Sequence, residues 1–249
     1  MSVADKSKEK RGEAYETVKI VVQALVLALI VRTFLFQPFS IPSGSMKDTL
    51  LIGDYLFVSK FSYGYSRYSF PFGLAPISGR IMGSEPERGD VAVFKLPKDN
   101  STDYIKRIIG LPGDRIQMID GVLYINDEAV KRERIDDYIE SSDYGVRRVA
   151  RYRETLPNGV SYDTLDLTEQ GMLDNTRVYE VPEGHFFAMG DNRDNSQDSR
   201  VLSAVGYVPF ENLVGRAEIL FFSVEPNDSG WKVWEKLGHI RWERLFRTL

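Results

Sequence analysis

The chain has 249 residues and a mass of 28.4 kDa, which suits one large domain with an appendage better than two full domains. Apolar residues at 43% and charged residues at 27% describe a chain that buries a core, excluding disorder, a collagen-like fibre and a multi-span membrane bundle. A net charge of −4 and a pI near 5.4 point away from nucleic acid as a partner, and the absence of cysteine excludes disulfides, thiolate nucleophiles, zinc ribbons and iron–sulfur clusters.

Residues 1–17 are polar and carry mixed charge, with Lys6, Lys8, Lys10 and Arg11 among them. An apolar stretch follows at 18–36. Its charge-free part, 20–31, is twelve residues, but Lys19 and Arg32 flank it, where long side chains reach outward. Counted whole, its 19 residues make about 28 Å of helix, enough to cross a bilayer. No small-residue cleavage site follows, so the stretch reads as an uncleaved single-span anchor. Basic residues precede it, and only Lys47 lies in the next twenty positions. That bias places residues 1–17 in the cytoplasm and the remaining chain outside it.

After Pro38 the pattern changes to short β runs. Strands are expected at 55–59, 91–94, 104–109, 115–119, 122–126, 177–181, 185–189, 206–208 and 216–222. Asp120-Gly121 predicts a tight hairpin turn, since both residues tolerate positive φ. So many short strands imply a mainly β fold, an antiparallel β-sandwich or barrel-like domain over 37–249. The segment at about 131–175 is charged, has no clean period and reads as an inserted, exposed subdomain. The tail at 231–249 reads as helical. The stretch 61–74, FSYGYSRYSFPFGL, alternates aromatic with small residues and reads as a hairpin dipping into the membrane–water interface. Packing of its rings onto the β core is the competing expectation.

With two histidines, His185 and His239, a histidine-based metal centre or triad is disfavoured, and the chemistry falls to hydroxyls, amines and carboxylates. Three segments carry it. In 38–54, Ser43-Gly44-Ser45 offers two hydroxyls around a glycine that lets another backbone approach, although alone it also fits a turn. In 89–116, Lys106 interrupts an apolar β run. It is either an edge-strand gatekeeper or a buried amine whose lowered pKa makes it a base. In 190–200, GDNRDNSQDSR, the recurring Asp191, Asp194 and Asp198 suggest a calcium loop. Arg193 stands where a ligand belongs and the required glycine is missing, so a hydrogen-bonded knot with an Asp198–Arg200 pair fits better.

In this order, and behind an anchor, the three segments resemble the bacterial type I signal peptidases, membrane-anchored Ser/Lys endopeptidases. By that resemblance Ser45 is the nucleophile, and Ser43 with Ser45 forms the oxyanion hole. Lys106 is the general base, Ser196 orients it, and Asp198 with Arg200 supports it. Lys47-Asp48 stand where many members carry a proline. Phe39, Ile41, Met46, Leu50 and Ile105 are the expected substrate-binding residues, with 39–41 and 104–105 pairing with an extended peptide. The resemblance implies no metal and no cofactor. It implies secretory pre-proteins with small residues at −1 and −3, a lipid bilayer and contact with the secretion translocase as partners. The location implied is the bacterial cytoplasmic membrane. A non-catalytic anchored β-domain acting as assembly factor or receptor is the alternative, and a self-cleaving regulator would need a DNA-binding element where the anchor lies.

Overall fold

The apolar stretch that follows the polar N-terminal residues meets the rest of the described chain only at its C-terminal end, where Phe34 and Phe36 pack against Tyr65, Phe70, Phe57 and Phe61. In the computed structural model, which describes residues 3–70, 76–142, 145–225 and 237–249, α1 (Val3–Ile30) runs into a π-helical turn, Val31–Leu35. The 22 residues Ala14–Leu35 are long and apolar enough to cross a membrane. Most of their side chains stay open, with Leu25 64% and Leu27 62% exposed, while Thr33 is buried. Leaving such area in water is unfavourable by roughly 25 cal/mol per Å². Helix gives way directly to strand at Phe36, which the sequence pattern assigns to the apolar run.

The main sheet has seven antiparallel strands. Their order is β1 (Phe36–Ser40), β2 (Asp54–Ser59), β15 (Leu213–Ser223), β3 (Val91–Lys95), β4 (Asp103–Gly110), β13 (His185–Met189) and β14 (Val208–Pro209). β3 is an unbroken apolar run because both of its faces are covered. Val91 and Val93 join Ile41, Met46, Leu56 and Val58 in one core cluster, while Ala92 and Phe94 join Ile108, Phe186 and Ala188 in another. Register shifts in β15 allow one long strand to serve β2 and β3. At Gly215 an added Cβ would sit 2.3 Å from the Ser59 carbonyl oxygen, so only glycine permits that approach.

Two smaller sheets follow. One runs β12 (Tyr179–Glu180), β5 (Arg115–Ile119), β6 (Val122–Ile125) and β7 (Glu128–Ala129). Its β5–β6 turn places Asp120 and Gly121 at φ 48° and 74°, as the dipeptide predicts. The other runs β11 (Ser161–Asp166), β10 (Gly145–Thr155) and β8 (Lys131–Arg134), with β9 (Tyr138–Ser142) also pairing with β10. It occupies the charged segment in which no period was visible. Arg132–Asp166, Arg151–Asp163 and Arg153–Asp163 pairs cover this sheet where an apolar alternation would otherwise show.

Two expectations are corrected. The segment after β2 is not a strand hairpin, because Phe61–Tyr63 and Arg67–Ser69 form 3-10 turns, the second capped by Ser66. Tyr63 is buried there and donates to Asp90 Oδ2 at 2.8 Å, while Phe70 packs edge-on against Phe34. Residues 71–74 of that prediction lie outside the described residues. The tail is not a regular helix where it is described. Leu237–His239 and Trp242–Arg244 are 3-10 turns, because the residues after each of them bond back to the sheet, Arg241 N to Ser223 O and Phe246 N to Leu220 O. Residues 231–236 are outside the description.

Candidate active site

The Ser43-Gly44-Ser45 segment leaves β1 as a tight turn, closed by Lys47 N to Gly44 O at 3.2 Å and Leu50 N to Met46 O at 2.7 Å. Met46 and Leu50 are buried in the core cluster of β2 and β3 and nail the turn down, leaving Ser45 at its edge. The Lys47–Asp48 peptide within it is cis. Two further ties come from the polar loop. Asn192 N bonds the Ser45 carbonyl at 3.1 Å, and Asn192 Nδ2 bonds the Gly44 carbonyl at 2.9 Å.

β4 delivers Lys106 to this turn. Its Nζ donates to Ser45 Oγ at 2.7 Å and to the Ile105 carbonyl at 2.9 Å. Both residues are buried, Lys106 at 4% and Ser45 at 8% exposure. Burial disfavours the ammonium and pulls the Lys106 pKa from 10.5 to about 8, against the opposing pull of Asp198 and Asp191. The buried amine of the sequence alternatives is therefore the one observed. Ser43 Oγ lies 3.4 Å from Ser45 Oγ. Ser196 is buried beside them, and its hydroxyl has no hydrogen-bond partner among the described residues.

A cavity of about 770 Å³ opens over the pair, lined by Ser43, Ser45, Lys106 and Ser196 together with Tyr104 and Ile105. Of the five expected substrate-binding residues, Ile105 lines this cavity. Phe39, Ile41, Met46 and Leu50 gather with it in the apolar cluster of the sheet.

Buried ion pairs fix the loop at 190–200. Arg200 grips Asp198 through Nε at 2.9 Å and Nη2 at 2.8 Å, and Gly190 N donates to the same carboxylate at 3.0 Å. The Arg200 guanidinium holds the Asp198 carboxyl below its ordinary pKa in spite of burial, so the ion pair stays charged. Gly190 is obligatory here, because an added Cβ would fall 2.2 Å from Ser196 Oγ and 2.5 Å from the Ser45 carbonyl oxygen. Among the described residues no group of three or more His, Asp or Glu side chains is arranged to hold a metal ion.

Sequence reasoning passed over several supports. Arg107, next to the lysine, makes a fork to Asp191 (Nε 2.9 Å, Nη2 2.7 Å), and Thr49 Oγ1 bonds the same carboxylate. Arg193 pairs in the same way with Glu154 of β10, and Tyr162 of β11 donates to that glutamate. Asp54, fully buried, accepts from Leu51 N at 2.8 Å, Ser223 Oγ at 2.6 Å and Arg244 Nη2 at 2.6 Å. Arg244 Nη2 also reaches the Thr49 carbonyl at 2.9 Å, bracing the turn that carries Ser45. Arg107, Asp191 and Arg193 left a trace in the sequence, as charges embedded in an apolar strand and in a polar knot.

Residues 14–222 match the family model described as signal peptidase, peptidase S26. The chain is 43% identical over 244 residues to the signal peptidase I of Rickettsia typhi, covering 90% of each chain. With that of Rickettsia canadensis it shares 45% over 242 residues, covering 90% of this chain and 89% of the relative. A solved signal peptidase I from Enterococcus faecalis matches at 27% identity over 53% of this chain and 97% of its own, with a TM-score of 0.31. Extended sequence identity over nearly the whole length places the chain in the signal peptidase I family, peptidase S26, whose members remove signal peptides from secretory pre-proteins.

Proposed function

We propose that this chain cleaves signal peptides with Ser45 as nucleophile and Lys106 as general base. The observation that carries the assignment is the 2.7 Å contact between Lys106 Nζ and Ser45 Oγ at the foot of an open cavity. Neutral Lys106 takes the Ser45 proton as Oγ attacks the scissile carbonyl carbon. The carbonyl electron pair moves onto oxygen and is met by the Ser45 N–H and the Ser43 hydroxyl, each such donor being worth roughly 3–4 kcal/mol at the transition state. As the C–N bond breaks, Lys106 returns the proton to the leaving amine. It then activates the water that hydrolyses the acyl-enzyme. Ser196, Asp198 and Arg200 hold the lysine side of the site in place. The cluster of Phe39, Ile41, Met46, Leu50 and Ile105 favours small side chains at −1 and −3.

The same reading assigns residues 18–36 to the bacterial cytoplasmic membrane. Residues 1–17 then lie inside, and the β-rich domain, 37–249 with its insert at about 131–175, lies outside. Support comes from the exposed apolar surface that continues from the helix onto Phe34, Phe36 and Phe61. Delivery of pre-proteins to that membrane brings the enzyme into contact with the secretion translocase. The test uses the full chain in detergent and a pre-protein ending in Ala-x-Ala before the cut. Ser45→Ala abolishes cleavage with the thermal midpoint unchanged, and Ser43→Ala lowers kcat by about 10²–10³. Substantial cleavage by pure Ser45→Ala protein would overturn the assignment.

A further inference from the structure

The connection leaving the inserted sheet runs past the catalytic cavity, and two of its residues, Met172 and Leu173, line it opposite Tyr104. Neither packs into any of the three core clusters. Met172 is 96% exposed, the most open large apolar side chain among the described residues. Val201 also lines the cavity and likewise belongs to no core cluster. Uncovered apolar side chains have a free-energy cost in water, which a partner that covers them removes.

The loop that presents them is not loose. Asp194 Oδ2 accepts from Leu167 N at 2.7 Å and Thr168 N at 3.1 Å, staking its first residues to the polar loop that carries Ser196. Asp174 closes the turn beyond, accepting from Gly171 N at 2.5 Å, while Gly121 N bonds the Asp174 carbonyl at 3.1 Å. Asn175 and Asp120 bond each other across the same junction. Gly171 lies so close to the stake that a Cβ there would fall 2.1 Å from Asp194 Oδ1. An exposed Met172 beside a half-buried Leu173, on a multiply tied loop at the rim of the cavity, is pre-arranged for contact rather than left over from packing.

We infer that Met172, Leu173 and Val201 form a second apolar wall of the cleft, which takes an apolar side chain of the bound pre-protein next to the cut. The inference rests on the proposed Ser45/Lys106 site, since it names a specificity wall of that same cavity. It also gives the inserted sheet a part in catalysis, because the strand β11 carries the chain into the loop. The occupant is an extended polypeptide rather than a small molecule, as the cavity is continuous with the edge positions 103–105 of β4.

The test uses the full chain in detergent with Met172→Asp and Leu173→Ser. The substrates are Ala-x-Ala pre-protein peptides in which position −2 or position +1, the variable positions on either side of the −1 alanine, carries leucine or glycine in turn. At one position, the leucine peptide loses about tenfold in kcat/KM through KM, with kcat held. The matching glycine peptide is cleaved equally by variant and wild type, and the position that responds tells whether the wall serves the residues before or after the cut. An equal change for every peptide, with or without a fall in thermal midpoint, or no change at all, would overturn the inference. A cleaving Ser45→Ala protein would instead tell against the proposed dyad. The comparison of KM between peptides is independent of that result.

Discussion

Two lysines in this molecule share one physical state and differ in what they face. Lys60, at the end of β2, is 2% exposed, and Lys106 on β4 is 4% exposed. Burial brings each of them from 10.5 to about 8. Lys60 gives its hydrogen bond to the Ser69 carbonyl at 3.0 Å, in the turns that pack against the end of the helix. Lys106 aims at a hydroxyl beneath an open cavity. A depressed amine pKa is thus a product of burial, found wherever a lysine is enclosed by a core. A base also needs a proton to take and a route for substrate. The apolar strand around Lys106 sets its acidity, and the turn 43–50 sets its use.

The sharpest way to break this comparison is to keep charge and remove basicity. Lys106→Arg lowers kcat by about 10²–10⁴, because a guanidinium stays protonated. Lys60→Arg leaves kcat within a few-fold and appears in the thermal midpoint instead. Peptide cleavage beside a melting curve reads both, and an active Lys106→Arg protein would end the assignment.

The pH profile comes next. Cleavage rises as pH increases through about 8, where Lys106 loses its proton. Lys60→Met leaves that midpoint in place, because Lys60 does not bond the reacting hydroxyl. A midpoint that moves with Lys60→Met would make the two lysines one coupled system.

The smallest effect is on stability, and there the two lysines act alike. Each amine has a folded pKa of about 8 against 10.5 for the free side chain. Between those values the unfolded chain holds more protons, so stability rises with pH across the interval and is lost as pH falls back through about 8. The slope is at most about 1.4 kcal/mol per pH unit for each lysine. Urea unfolding at pH 8 and 10 reads the rise, and Lys60→Met or Lys106→Met each removes one share. A rise untouched by either substitution would show that neither amine is desolvated.

Much of the main sheet could be read from sequence, because β3, β4 and β13 are apolar runs with turn residues between them. The proposed nucleophile and base, Ser45 and Lys106, stood out as candidates from short motifs, since their chemistry restricts the residue types allowed. The inserted sheet was not legible. Along β10 most residues are exposed or half-buried, and Arg151 and Arg153 meet Asp163 across the strands, so no alternation of apolar residues marks the strand. The second role of Asn192, holding Ser45 and Gly44, was invisible because it exists only once two segments 148 residues apart have met. Tail residues with a mixed apolar and basic pattern suggested a helix. Tertiary bonds to β15 and Asp54 took precedence over that local preference.

The brace between Arg244 and Asp54 has a consequence in time. The two residues are 190 positions apart. A nascent chain that has emerged from the ribosome as far as Lys106 already contains both members of the proposed dyad, yet Asp54 lacks its arginine and the Thr49 carbonyl lacks its donor. A further 138 residues, from Lys106 to Arg244 (244 − 106), must be made before that support can dock. The order of synthesis thus withholds a fully braced Ser45 turn until Arg244 has been made.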